Sequence, residues 1–201
     1  MRPPETRLAV FAALLGLAGT LAACGPKAPE KETYAPTPLA PAGWTQVFAK
    51  PAETIDIMNR IGFRIGAYAP AEDGYRAVGI PAMLGRSDVP KPNVGNVELT
   101  GTAEKLNAVR FTLDLTDLSD DGFAKKQFVK NIEQRFVQLG VSGADKLTQN
   151  IMSERPTKGT TDGAAYALTR DLIPGGKNHR RLSLTFTPAG SSPAASSPRN
   201  G

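Results

Sequence analysis

The stretch from Ala108 to Leu139 constrains the fold more than any other, because its hydrophobic period changes once, from two residues to that of a helix. Over Ala108 to Leu115, the residues Val109, Phe111, Leu113 and Leu115 alternate with Arg110, Thr112 and Asp114, which predicts a strand with one buried and one wet face. Ser119, Asp120 and Asp121 then offer helix-capping oxygens ahead of a helix to about Leu139. Phe128, Val129, Ile132, Phe136 and Leu139 give that helix a single apolar stripe, and Gly140 ends it. A one-faced strand and a one-striped helix satisfy each other by packing together. The expected fold is therefore α+β, a two-layer antiparallel sheet of about 4–6 strands with one long helix on one face and shorter flanking helices. Phe111 and Phe136 are expected to meet across the two layers.

The remaining pattern fits this frame. Pro51 suits a first helical position, Glu53 complements the helix N-terminus, Ile55, Met58 and Ile61 supply a stripe, and Gly62 closes the helix. Phe63–Tyr68 and Tyr75–Ile80 read as short strands around Asp73-Gly74, and Pro81–Pro92 as a loop. Asn96–Gly101 is expected to pair with Ala108–Leu115. Ser142, with Asp145 three residues on, begins a shorter helix to about Ser153 that carries Leu147 and Ile151. Ala164–Ile173 and Arg180–Thr187 alternate again across Pro174-Gly175-Gly176 and read as a hairpin. This element order is broadly similar to that of small secretion chaperones, a likeness of fold that carries no function with it.

Composition marks the boundaries. Residues 25–43 hold five prolines and several alanines, and the charges of Lys27, Glu30, Lys31 and Glu32 cancel, so this segment reads as a semi-extended tether. Residues 189–201 are mostly Ser, Ala and Pro and read as a disordered tail. Between them, residues 44–188 are expected to form a single α+β domain of ordinary size.

The first 24 residues supply an address. Arg2 and Arg7 precede an uncharged, Leu- and Ala-rich run from Leu8 to Leu21, the arrangement of a secretory signal. The run is shorter than the roughly 20 apolar residues that a membrane-spanning helix needs. Leu21-Ala22-Ala23-Cys24 holds the only cysteine of the chain and resembles the lipobox of bacterial lipoproteins. The resemblance covers residues 1–24 alone. It implies that residues 1–23 are a cleaved signal peptide, that Cys24 receives a diacylglycerol on its sulfur, and that the new amine is acylated. Several acyl chains on one residue anchor stably, whereas one holds only marginally. In the enterobacterial sorting rule an Asp after the cysteine retains a lipoprotein in the inner membrane. Gly25 stands there in this chain, which favours the outer membrane, with the domain in the periplasm.

The search for chemistry returns few candidates. His179 is the only histidine and Cys24 the only cysteine, which excludes zinc sites of the common Cys/His kinds and a second thiol for a disulfide. No Gly-x-Ser-x-Gly elbow and no Gly-Lys-Ser/Thr phosphate loop occurs. No catalytic residue, metal ligand or cofactor is assigned. Asp114, Asp117, Asp120 and Asp121 lack the spacing of an EF-hand loop. Lys177, His179, Arg180 and Arg181 form a candidate contact for an anionic surface, expected to project from a hairpin tip; a solvated turn is the plainer reading. The net charge of +5 is modest for 201 residues and is not the footprint of a nucleic-acid binder.

Two function classes remain. The preferred expectation is a noncatalytic envelope lipoprotein that touches the membrane through its anchor and presents an interaction module to an envelope protein partner, assisting assembly or stability of a complex. The alternative is an envelope enzyme or carrier acting on a cell-wall or lipid ligand through carboxylates. A cleft lined by paired Asp or Glu would favour the second, and an apolar groove or open sheet edge the first.

Overall fold

The computed structural model describes residues 43–191, all within one compact unit of the chain. Cys24, the signal segment, the tether before residue 43 and the tail after residue 191 lie outside the described residues, and so do the expectations that fall on them. In chain order the elements are helices α1 (Gly43–Ala49) and α2 (Pro51–Arg60), then strands β1 (Ala69–Ala71), β2 (Gly74–Val78), β3 (Ala82–Met83), β4 (Val94–Gly101) and β5 (Leu106–Leu115). Helices α3 (Asp121–Leu139) and α4 (Asp145–Met152) follow, and strands β6 (Thr157–Thr161), β7 (Ala164–Leu172) and β8 (Arg180–Pro188) complete the fold.

The alternating segment lies at the middle of the sheet, whose order is β1-β2-β4-β5-β8-β7-β6, with β3 added beside β4. Every pairing is antiparallel. Val97 faces Phe111 across β4 and β5, and Phe111 faces Leu184 across β5 and β8. Phe111, Leu113, Leu182, Leu184 and Phe186 are fully or almost fully buried, while Arg110, Thr112 and Thr185 between them stay partly open. One face thus meets the helices and the other carries charges and hydroxyls. On that outer face Arg76 and Arg110 both pair with Glu98, and Arg181 pairs with Asp114.

Aromatic rings join the two layers. Phe136 on α3 meets Phe111 at 6.0 Å and Phe186 at 5.3 Å between ring centroids. Trp44 on α1 stacks on Phe186 at 4.2 Å and sets its edge against Phe136 at 5.2 Å. Its indole N–H donates to the Ser142 carbonyl, so the polar end of this buried ring is satisfied. Each large side chain fully buried here contributes about 1.5–3 kcal/mol.

The α+β class and the antiparallel sheet agree with the sequence reading, but three details differ. The sheet has eight strands, not four to six, because β3 and β6 were hidden in segments rich in Pro, Gly and Thr. The helical layer is not one long helix with minor flanks; α1, α2, α3 and α4 share it, and α1 contributes the central Trp44. The expected strand Phe63–Tyr68 reduces to a single bridge between Ile65 and Gly79, with the pairing moved on to Ala69–Ala71. Nor do the helix caps form as expected. Neither Asp120 before α3 nor Ala144 before α4 makes a side-chain cap bond. Asp120 instead accepts the Arg86 backbone N–H at 2.9 Å, and Ser142 contacts the Thr161 hydroxyl at 3.2 Å.

Candidate functional site

Helix α3 crosses the sheet with Phe128, Ile132, Phe136 and Leu139 buried beneath it. Beside that stripe Asn131 and Arg135, four residues apart, lie on one helix face. They look onto a partly open cavity of about 140 Å³ between α3, the connection from α2 to β1, and the corner from β2 to β4. Its floor is apolar: Leu84, Val97, Phe111, Phe128 and Ile132 line it. The charged residues at its wall are Arg64 and Arg135, and no carboxylate lines it.

These two arginines differ from most of the others in the domain. Arg60, Arg76, Arg86, Arg110, Arg170, Arg180 and Arg181 each reach a carboxylate. Among the described residues Arg64, Arg135 and Arg155 form no such pair, and the first two of them share this cavity. The Arg135 guanidinium lies 4.7 Å from the centroid of the Phe63 ring. Burial pushes its proton affinity down, with no acidic neighbour to offset the effect. A half-buried cation held on an aromatic face keeps a standing attraction for an anion.

The backbone beside it is held firmly. Arg64 adopts a left-handed conformation, φ 52°, which a residue with a side chain enters at a cost. Neighbours enforce it. The Ile80 N–H donates to the Arg64 carbonyl at 3.1 Å. The Asn59 side chain clamps Ile65, accepting its N–H at 2.5 Å and donating to its carbonyl at 3.1 Å. The rim includes exposed apolar surface at Ile80, which is 53 % exposed.

A second cluster is ionic. Glu154, just after α4, accepts from Lys125 Nζ at 2.9 Å, from Arg170 Nε at 3.0 Å and from the Arg180 guanidinium. Arg180 also donates to Asp121 at 2.6 Å. Arg180 above all, with Lys125 and Arg170, holds the Glu154 carboxyl down at about 2 against the opposing effect of burial. Every member is engaged within the cluster, which ties the start of α3, the end of α4 and the β7–β8 hairpin together.

The sequence-derived contact residues are not brought into one patch. Lys177 is exposed in the turn and His179 is half-buried there. Strand β8, however, begins at Arg180, so the alternation that points Leu182, Leu184 and Phe186 inward also points Arg180 inward. Arg180 is buried in the ionic cluster. Arg181 points to the outer sheet face, with both its Nε and Nη2 on Asp114. The aspartates diverge likewise: Asp114 binds Arg181, Asp117 binds Ser119, Asp120 binds the Arg86 amide and Asp121 binds Arg180. No metal-binding group of three or more His, Cys, Asp or Glu is found among the described residues. Among them, also, no helix is long and apolar enough to cross a membrane.

Arg64 and Arg135 escaped the sequence reading. Arg135 sits three residues after Ile132 and directly before Phe136, at the edge of the apolar stripe, and that spacing was the available signal. Compared with protein-family models, curated proteins and solved structures, the chain matches none of them. Its function is read from its own geometry.

Proposed function

We propose that the chain is a lipid-anchored envelope protein whose domain is a noncatalytic binding module, working through the cavity between α3 and the β2–β4 corner. The observation that carries this reading is the cavity's make-up: an apolar floor, a rim with exposed Ile80, and two arginines without acidic partners. Such concave, mostly apolar sites with a few convergent polar groups are where ligands bind. Three of the carboxylates nearest one another in the fold are engaged by arginines, and none lines the cavity. Asp121 and Glu154 hold Arg180, and Asp114 holds Arg181. The lipobox-like Leu21-Ala22-Ala23-Cys24 supports an acyl anchor, and Gly25 favours the outer membrane with the domain in the periplasm. In this reading the Pro-rich tether holds the module off the lipid while an envelope partner or ligand engages the cavity face.

Two measurements test the proposal. Cys24→Ser should abolish labelling by a fatty-acid analogue and release the protein from the membrane fraction; unchanged fractionation removes the anchor. A photocrosslinking residue at Ile80, on the cavity rim, should capture a component of native envelopes that the same residue at Thr112, on the outer sheet face, does not. Equal capture at both positions removes the cavity face as the binding surface.

A further inference from the structure

We propose that the cavity takes a small amphiphilic carboxylate, with an apolar group no larger than a benzene ring or short acyl chain on the floor and the carboxylate on Arg135 and Arg64. This deepens the binding-module reading and rests on it. Size sets the apolar part. An engineered apolar cavity of about 150 Å³ holds one benzene molecule, so a cavity of 140 Å³ accommodates a ring or a chain of similar bulk and is far too small for the acyl chains of a membrane lipid. Phe111, Phe128 and Ile132 supply the contacts such a group needs, and all three are almost fully buried.

Charge sets the head group. The cavity wall carries two guanidinium groups and no carboxylate, in a domain where most arginines are paired. The planar fork of an arginine matches a carboxylate bidentately. Arg135 is anchored for this task by its position over Phe63, so little side-chain freedom is lost on binding. The Asn131 side chain, also on the wall, makes no hydrogen bond with the described residues and adds a donor and an acceptor beside the arginine. A cationic ligand is disfavoured by both arginines, and a neutral one leaves Arg135 without its counter-charge.

The test titrates the full chain carrying Cys24→Ser with hexanoate, 1-hexanol and hexylammonium, which share a chain and differ in head group, read by backbone amide NMR shifts. Hexanoate should bind saturably and at least tenfold more tightly than either alternative, moving the amides of Gly62, Phe63, Arg64 and Ile80. Arg135→Gln should weaken hexanoate at least tenfold while the protein stays folded with a cooperative unfolding transition, since Arg135 makes no ion pair to lose and gives up only its contact with Phe63. Ala82→Phe, on the exposed edge strand at the rim, should block all three probes without disturbing the core. Equal affinity for the three heads, hexanoate affinity unaffected by Arg135→Gln, or no saturable binding overturns the proposal. If hexanoate fails while the photocrosslinker at Ile80 still captures an envelope component, the ligand class is wrong and the binding face stands; if both fail, the binding-module reading falls as well.

Discussion

Replacing Glu154 with Gln removes one negative charge from between three cations and changes little else in shape. In the folded protein Glu154 is 12 % exposed and Arg180 9 %, and the Arg180 guanidinium holds the carboxyl at about 2 against an ordinary 4.5. Taken in full, that difference amounts to roughly 3 kcal/mol, at about 1.4 kcal/mol per pH unit. Solvent reaches Arg170, and Arg180 keeps Asp121 at 2.6 Å after the substitution, so screening and the remaining partner reduce the expected loss to about 2 kcal/mol. Because folding lowers the carboxyl's affinity for its proton, the stabilisation is complete above about pH 5 and declines as the pH falls from about 4.5 toward 2. The wild type and Glu154→Gln should therefore differ by about 2 kcal/mol at pH 7 and by less than half of that at pH 3. Urea unfolding followed by the fluorescence of Trp44, the only tryptophan, measures both. Trp44 stacks on Phe186 in the core, so its signal reports global unfolding. A difference below about 0.5 kcal/mol at pH 7, or one that does not shrink between pH 6 and pH 3, refutes the reasoning from Glu154 as the hub of the cluster.

Phe136→Ala should cost about 3–5 kcal/mol by opening a void between Trp44, Phe111 and Phe186; an unfolding midpoint within error of wild type removes Phe136 from the core. Gly101→Ala should destabilise by about 2–3 kcal/mol, since its new Cβ would lie 2.1 Å from the Lys105 carbonyl oxygen and 2.7 Å from Leu106 Cα, both backbone atoms; denaturant unfolding of that variant equal to wild type contradicts the tight turn between β4 and β5. Arg64→Gly should be neutral or stabilising by up to about 1 kcal/mol, because a left-handed residue with φ 52° is relieved of its Cβ; a clear loss in thermal midpoint shows that the Arg64 side chain itself holds the fold. Arg180→Ser should lower the midpoint by several degrees while Lys177→Ser leaves it unchanged, and the opposite order in differential scanning calorimetry contradicts the inward placement of Arg180.

Most of the central architecture is legible in the sequence because it rests on periodicity. The alternation of Val109, Phe111, Leu113 and Leu115 and the stripe of Phe128, Ile132 and Phe136 each demand one buried face, and the observed sheet and α3 provide it. The edges are illegible for an equally physical reason. Strand β6 reads Thr-Lys-Gly-Thr-Thr, whose pattern carries no apolar face, and it exists because β7 offers an unpaired ladder from Ala164 to Leu168. Helix α1 is seven residues long, too short to be stable alone, and is held by the burial of Trp44, Val47 and Phe48. Asn93 gives no signal at all. Flanked by Pro92 and Val94, it is fully buried, and its amide clamps Thr116 and Asp117 from both sides.

The candidate site follows the same division. Its floor is built from residues that periodicity places in the core, and its charged wall from residues that periodicity leaves at the margin. Arg135 borders the stripe of α3, and a guanidinium at such a margin ordinarily reaches solvent along its aliphatic stem. Here Phe63, carried in from the α2–β1 connection, stops it half-way and fixes it over an aromatic face. Arg180 shows the converse case. Its neighbours in sequence are Lys177, His179 and Arg181, yet the register of β8 buries it against Glu154 and Asp121, at the opposite end of α3 from Arg135. A basic residue's role in this chain is therefore set by whether the fold delivers a carboxylate to it. Arg180 receives two and becomes part of the scaffold; Arg64 and Arg135 receive none and remain free to meet an anion from outside.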